Sequence, residues 1–160
     1  MNYRIRIGLL LLPLLVAFSC SEQKSVQKKI VFMDSFRVFE EFEMKKDLDQ
    51  KLEKEIQPEK RMVDELGLKL NVEQNPKLKA ELQSNFEIAK GQFDQRFQSL
   101  SNQYTNDVTK RLNEYIKEYG KQKHYDLILG TDGQGNVMYI DTNSNITVDL
   151  IKFINKEYKK

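Results

Sequence analysis

The stretch KKIVFMDSFRVFEEFE, residues 28–43, decides the fold. Four successive apolar residues, Ile30-Val31-Phe32-Met33, give a run without sidedness, as in a short strand covered on both faces. The spacing then turns helical at Phe36, Phe39 and Phe42. A strand that feeds a long charged helix has nothing beside it to pair with. Its partners must lie elsewhere in the chain.

From residue 36 to about residue 70 one apolar stripe recurs every three or four positions, through Phe39, Phe42, Met44, Leu48, Leu52, Ile56, Val63, Leu66 and Leu70. Pro58 falls inside it, removes one backbone donor and crowds the Lys54 carbonyl, so a kink is expected there. Asn75-Pro76 then reads as the cap and first residue of a second helix. Its stripe runs through Leu78, Leu82, Phe86, Ala89, Phe93, Phe97, Leu100, Tyr104, Val108 and Leu112. The steps average above 3.6, so the stripe drifts little and forces no left-handed supercoil. The short joint predicts an antiparallel hairpin over residues 36–123. At 1.5 Å per residue its arms reach on the order of 50 to 70 Å.

Beyond Gly120 the pattern changes again. YDLILG, residues 125–130, and NVMYI, residues 136–140, are short β-type runs separated by the turn residues of TDGQG. Ile146, Leu150, Ile154 and Tyr158 are spaced by four, which predicts a short helix over residues 147–158. These runs supply the missing partners of the strand at residues 29–34. The fold class expected is α+β, a small three-stranded sheet with a long protruding helical hairpin and a short C-terminal helix. Three short strands are marginal alone, and their successive apolar residues need cover on both faces. Joining sheets from several copies into a barrel supplies that cover. Ile30, Phe32, Leu127, Leu129, Val137 and Tyr139 are the residues expected at such a hub.

The N-terminus belongs to targeting. Residues 1–19 carry Arg4 and Arg6, then an apolar core from Ile7 to Phe18, as in a secretory signal. The chain's one cysteine, Cys20, follows at once, and the stretch AFSC resembles a bacterial lipoprotein box. Lipidation of Cys20 is favoured over ordinary cleavage, because a lone exported thiol otherwise lacks a purpose. Residues 20–28 are polar and read as a flexible tether, and residues 29–160 as the folded domain. By resemblance to the lipoprotein class, Ser21 after the cysteine implies release toward the outer membrane.

Charge narrows the function. The 160 residues hold 26 Lys and Arg against 24 Asp and Glu, and two of the basic residues leave with the signal. A near-neutral mature chain does not fit a general nucleic-acid binder.

Signal, strand, long hairpin, two strands and short helix together resemble the periplasmic chaperone family called Skp or OmpH. KKIVFMDSFRVFEEF, LNEYIKEYGKQKHYDLILG and GNVMYIDTNSNITVDLIKFINKEY carry the likeness. Most specific is the Asp34-Ser35 entry into the helix, paired with the Tyr-Asp-Leu-Ile-Leu return strand. The resemblance implies a homotrimer with a central barrel and three arms around a cavity. Unfolded outer-membrane proteins are held there without ATP. Its well-known members are strongly basic and free in the periplasm, whereas this chain is near neutral and lipoprotein-like. A lipid-anchored coiled-coil scaffold of the cell envelope is the alternative.

No residue set has a catalytic, cofactor or metal pattern. His124, the single histidine, sits at a helix-to-strand junction without a Ser or Cys partner in motif context. DGQGN holds a lone Gly-x-Gly without the following helix and lysine of a phosphate loop, and Asp132 and Asp141 lack EF-hand spacing. Glu40, Glu41 and Glu43 suit the first turns of a helix. Phe86, Phe93, Phe97 and Tyr104 have the spacing of a hairpin seam, and client contact is the other reading open to them.

Overall fold

The computed structural model describes residues 28–132, 137, 139 and 141–160. The signal, Cys20 and the tether as far as residue 27 lie outside the described residues. A first strand, β1 (Ile30–Asp34), leads through a short helix α1 (Ser35–Glu41) into α2 (Glu43–Val72). The long α3 (Pro76–Lys123) returns, followed by β2 (Leu127–Thr131), a 3-10 turn (Thr142–Ser144) and α4 (Thr147–Tyr158).

Local signals set the boundaries. The Asp34 side chain accepts from the Arg37 N–H at 2.8 Å and starts α1. Asn75 accepts from the amides of Lys77 and Leu78, with Pro76 at the first helical position of α3. His124 ends α3 in the left-handed conformation at φ 54, its N–H directed to Gly120 and Lys121 carbonyls. One difference from the sequence reading appears along the first arm. The helix runs on through Pro58 without ending there, but it is broken at Phe42, whose backbone is extended. The apolar spacing slips at the same place, with a step of two from Phe42 to Met44 among steps of three and four, a signal the sequence reading passed over.

β1 and β2 pair in parallel, with Ile30 opposite Leu127, Phe32 opposite Leu129 and Asp34 opposite Thr131. The parallel sense follows from helix length. At 48 residues against 30, α3 outruns α2 by about 27 Å and carries the chain back to the start of β1. There the Asp126 N–H donates to the Lys29 carbonyl, and the Asp126 carboxylate accepts from the Lys29 N–H. The next strand therefore runs in the direction of β1. Gly130 lets β2 approach the start of α1 closely, since a Cβ at that position would require the Ser35 hydroxyl to turn away. On its other edge β1 meets the residue pair before α4, where the Ile146 N–H donates to the Phe32 carbonyl at 2.8 Å. The expected third strand at residues 136–140 is not among the elements found. The described sheet has two strands, Val137 and Tyr139 carry no strand geometry, and residues 136, 138 and 140 lie outside the described residues.

The core lies in a head formed by β1, α1, α4 and the head ends of α2 and α3. Val38, Phe42, Leu150 and Ile154 are fully buried there, with Val31, Val108, Leu112, Tyr119 and Ile151 around them. Thr147, nearly the only buried polar residue described, accepts from the Asp34 N–H and donates to Asn145. Its burial is thereby satisfied. Tyr119 packs against Phe153 and Tyr125, and burial, then the charges of Tyr125 and Asp149, push its phenol up to about 12. The neutral phenol is thus favoured in the folded head. The stability it carries is complete below pH 10.0, its ordinary value, and is lost as pH rises toward 12. Alkaline unfolding followed by circular dichroism should therefore show a steep loss between those values. In Tyr119→Phe that loss should be shallower, because no buried phenol remains to ionise.

Candidate functional site

The sites that the sequence suggested are surfaces, not pockets of reactive groups. One is the outer face of the sheet. Alternation along the strands sends Val31, Met33 and Ile128 into the head core, leaving Ile30, Phe32, Leu127 and Leu129 on the opposite face. The parallel register sets these four side by side. Ile30 and Leu127 are 41% and 44% exposed, an open apolar patch over a core that is otherwise closed. Tyr139 is largely exposed and Val137 half-buried. Among the described residues β2 pairs on one side only. An unpaired edge beside an apolar face is the chemistry of strand-to-strand association.

The other surface is the arm, and its packing changes along its length. Near the head the seam is closed by Val108 and Leu112, with Tyr104 and Ile56 also buried further out. Tyr104 donates from its hydroxyl to Glu55 at 2.9 Å, and the Lys51 ammonium stands 5.1 Å from its ring centre. Further out, Arg96 pairs with Glu59 across the hairpin at 3.1 Å. Beyond that clasp Ala89 is the one buried residue described, because two helices alone cover a single stripe. Phe86 still belongs to the seam, its ring lying where a Cβ on Gly67 would sit at 3.4 Å. Phe93 is half-buried and stacks on Phe97 at 6.1 Å, and Phe97 is 42% exposed. One continuous aromatic stripe in the sequence thus divides in space. Tyr104 and Phe86 face the partner helix, whereas Phe97 meets solvent.

The sequence reading did not single out Met62, Leu68, Val72 or Ile88, all of them exposed on the outer half of the arm. Leu78, near the tip, is exposed with them. The signal was present, since these residues lie off the main stripe and have no partner helix to meet. Met62, Leu66, Ile88 and Ala89 line an open groove of about 410 Å³ that Glu65 and Lys69 border. A second groove of about 430 Å³ passes Val63, Gly67, Leu68 and Phe86. Both are shallow and mix apolar with polar lining, Asn85 and Gln92 in the first and Asp64 and Asn71 in the second.

The remaining candidates are placed plainly. His124 is exposed at the end of α3, where its backbone caps the helix. No group of three or more His, Cys, Asp or Glu among the described residues has metal-binding geometry. Glu40 pairs with Lys45 and Glu41 with Arg37, both near the root of the arm. No helix among the described residues is long and apolar enough to cross a membrane.

The difference between Tyr104 and Phe97 is measurable. Tyr104→Ala should lower stability by about 3 kcal/mol, the range for truncating a buried aromatic. Phe97→Ala, with its ring partly in water and only the Phe93 stacking to lose, should cost clearly less, about 1 kcal/mol, in the same chemical denaturation series.

Compared with known families, the chain matches the model of the outer membrane protein (OmpH-like) family over residues 29–154. A search of curated proteins returns no match.

Proposed function

Since the chain belongs to the OmpH-like family, also called Skp/OmpH, we propose that it is an ATP-independent holdase for unfolded outer-membrane proteins. The family is one of periplasmic chaperones, not enzymes. The observation that carries the reading is the outer half of the arm. Met62, Leu68, Val72, Ile88 and Phe97 stand in water along a two-helix rod that has no surface to cover them. An unfolded barrel protein exposes alternating apolar residues and unpaired strand edges, and aggregates through them. Many shallow apolar seats hold such a chain by avidity, with no single binding pocket. Because the outer arm has little packing to break, it bends at low cost around clients of different size.

In this reading three copies join through Ile30, Phe32, Leu127 and Leu129, with Val137 and Tyr139 at the margin. The sheets close into a barrel and the arms surround a cavity. Closing the sheet removes the open edge and covers the apolar face together. Lipid on Cys20 ties each copy to the outer membrane through the tether.

Two measurements test the reading. Sedimentation velocity should give the mass of three chains, and Leu127→Asp with Leu129→Asp should give single chains. A wild-type monomer at micromolar concentration would overturn the barrel. Dilution of a urea-unfolded outer-membrane barrel protein into buffer should scatter light, and one trimer per client should suppress the scattering. Met62→Ser with Ile88→Ser should weaken that suppression without changing sedimentation. Unchanged scattering at an excess of wild-type protein would leave the envelope scaffold, which predicts one stable folded partner instead.

A further inference from the structure

The break between α1 and α2 at Phe42 is the root of the arm, and a side chain from the far end of the chain spans it. Phe42 is extended, with φ −71 and ψ 123, between two helices that would otherwise be one. Its side chain is fully buried, edge-on to Tyr115 and to Tyr158 at 6.1 and 5.7 Å between ring centres. The break leaves a carbonyl at Glu41 and an amide at Glu43 that a continuous helix would have used internally. Asn155 of α4 meets both. Its Oδ1 accepts from the Glu43 N–H at 2.9 Å, and its Nδ2 donates to the Glu41 carbonyl at 3.0 Å. A primary amide carries its donor and its acceptor on separate atoms, so one side chain can serve an N–H and a carbonyl at once. Aspartate at this place would only accept, and an apolar residue would do neither. Two further ties flank the bridge, from the Tyr158 hydroxyl to Asp47 at 2.9 Å and from Lys159 to Glu43 at 2.8 Å.

We propose that Asn155 is a positioning residue that fixes the angle at which the arm leaves the head, with α4 serving as the clamp. The competing state is chemically simple. Without the bridge, the two backbone groups are satisfied by water or by winding α1 and α2 into one helix, and either change turns the arm about Phe42. The effect at the far end is large, since a turn of about 5° at the root moves a tip about 45 Å away by about 4 Å. The inference concerns how the arm is seated, so it stands whether or not the arm holds clients.

The test is a distance between head and tip within one chain. Spin labels at Lys152→Cys and Gln74→Cys, in full-length protein carrying Cys20→Ser and diluted with unlabelled chains, give one narrow distance distribution. Asn155→Ala should broaden it and shift its centre by several ångströms, while circular dichroism keeps its helical signal. Lys159→Ala, which removes a flanking tie only, should leave the distribution as it was. Identical distributions in wild type and Asn155→Ala, or equal broadening by Lys159→Ala, would overturn the assignment. Should Asn155→Ala fail to fold, amide exchange on the unsubstituted protein decides. The Glu43 N–H opens α2 and has no partner within that helix, so Asn155 alone protects it, by about fivefold for a hydrogen bond of ordinary net strength. Exchange of Glu43 at the rate of an open helix end would refute the proposal.

Discussion

Backbone pairing between Ile30–Asp34 and Leu127–Thr131 is the constraint on which the molecule is built. It joins segments separated by the whole arm, a closure that a flexible chain meets at an entropic cost rising only slowly with length. Here the intervening residues are not flexible. Two long helices form from local spacing and fold back at Asn75-Pro76, so the second delivers Leu127 to the start of β1 already oriented. A two-stranded sheet does not stand by itself. It is held from beneath by Val31, Val38, Phe42, Leu150 and Ile154, residues that each contribute about 1.5–3 kcal/mol when fully buried. The strands hold the rod's two ends together, and the head core holds the strands.

The same arrangement leaves the arm thin. A helix in a globule has neighbours on several sides, whereas each helix of a hairpin has one. Burial therefore fades from Val108 and Leu112 near the head to Ala89 as the one buried residue of the outer part. Apolar residues off the seam, such as Met62 and Leu68, have no interior to enter. Scattered exposed apolar side chains are ordinary on protein surfaces. Several of them gathered on a projecting rod, beside open grooves, are the consequence of its geometry and the basis of its proposed use. The head shows the complementary exception. Its core is closed, yet the outer sheet face with Ile30 and Leu127 stays open, and this is the patch through which the proposed trimer joins.

How much of this was legible in the sequence depends on the range of each interaction. The hairpin, its turn at Asn75-Pro76, the short sheet and the terminal helix were readable, because spacing and capping are local. The pairing of distant strands was readable because the run Ile30-Val31-Phe32-Met33 has no other use. The break at Phe42 was legible only in part. The step of two from Phe42 to Met44 departs from helical spacing, but the partner of the freed groups, an amide of Asn155, arrives only through tertiary folding. At Pro58 the loss of one hydrogen bond on an exposed face leaves α2 a single helix. Within the aromatic stripe, period alone could not separate Tyr104, tied to Glu55, from Phe97 in solvent. Their difference is distance from the head, which no local pattern encodes. The third strand expected at residues 136–140 is the remaining departure, and the described sheet stops at two.

Charge completes the argument about what the arm does. Its acids and bases are arranged mainly as neighbours along each helix, as in Lys51 with Glu55, Lys90 with Asp94 and Arg111 with Glu114. Such exposed pairs add little stability, a median of about 0–1 kcal/mol. Their larger effect is to cancel the field of the rod locally, so that little long-range attraction is left for a partner of either sign. Over the whole chain 26 Lys and Arg stand against 24 Asp and Glu, so basic and acidic residues nearly balance. A surface that neither steers by charge nor offers a deep pocket recognises a partner chiefly through the apolar area the partner exposes. Folded proteins expose little of it in one place, and unfolded chains expose it along their whole length. In the proposed reading, selectivity for the unfolded state needs no specific motif in the client, only a rod whose apolar residues have nowhere else to go.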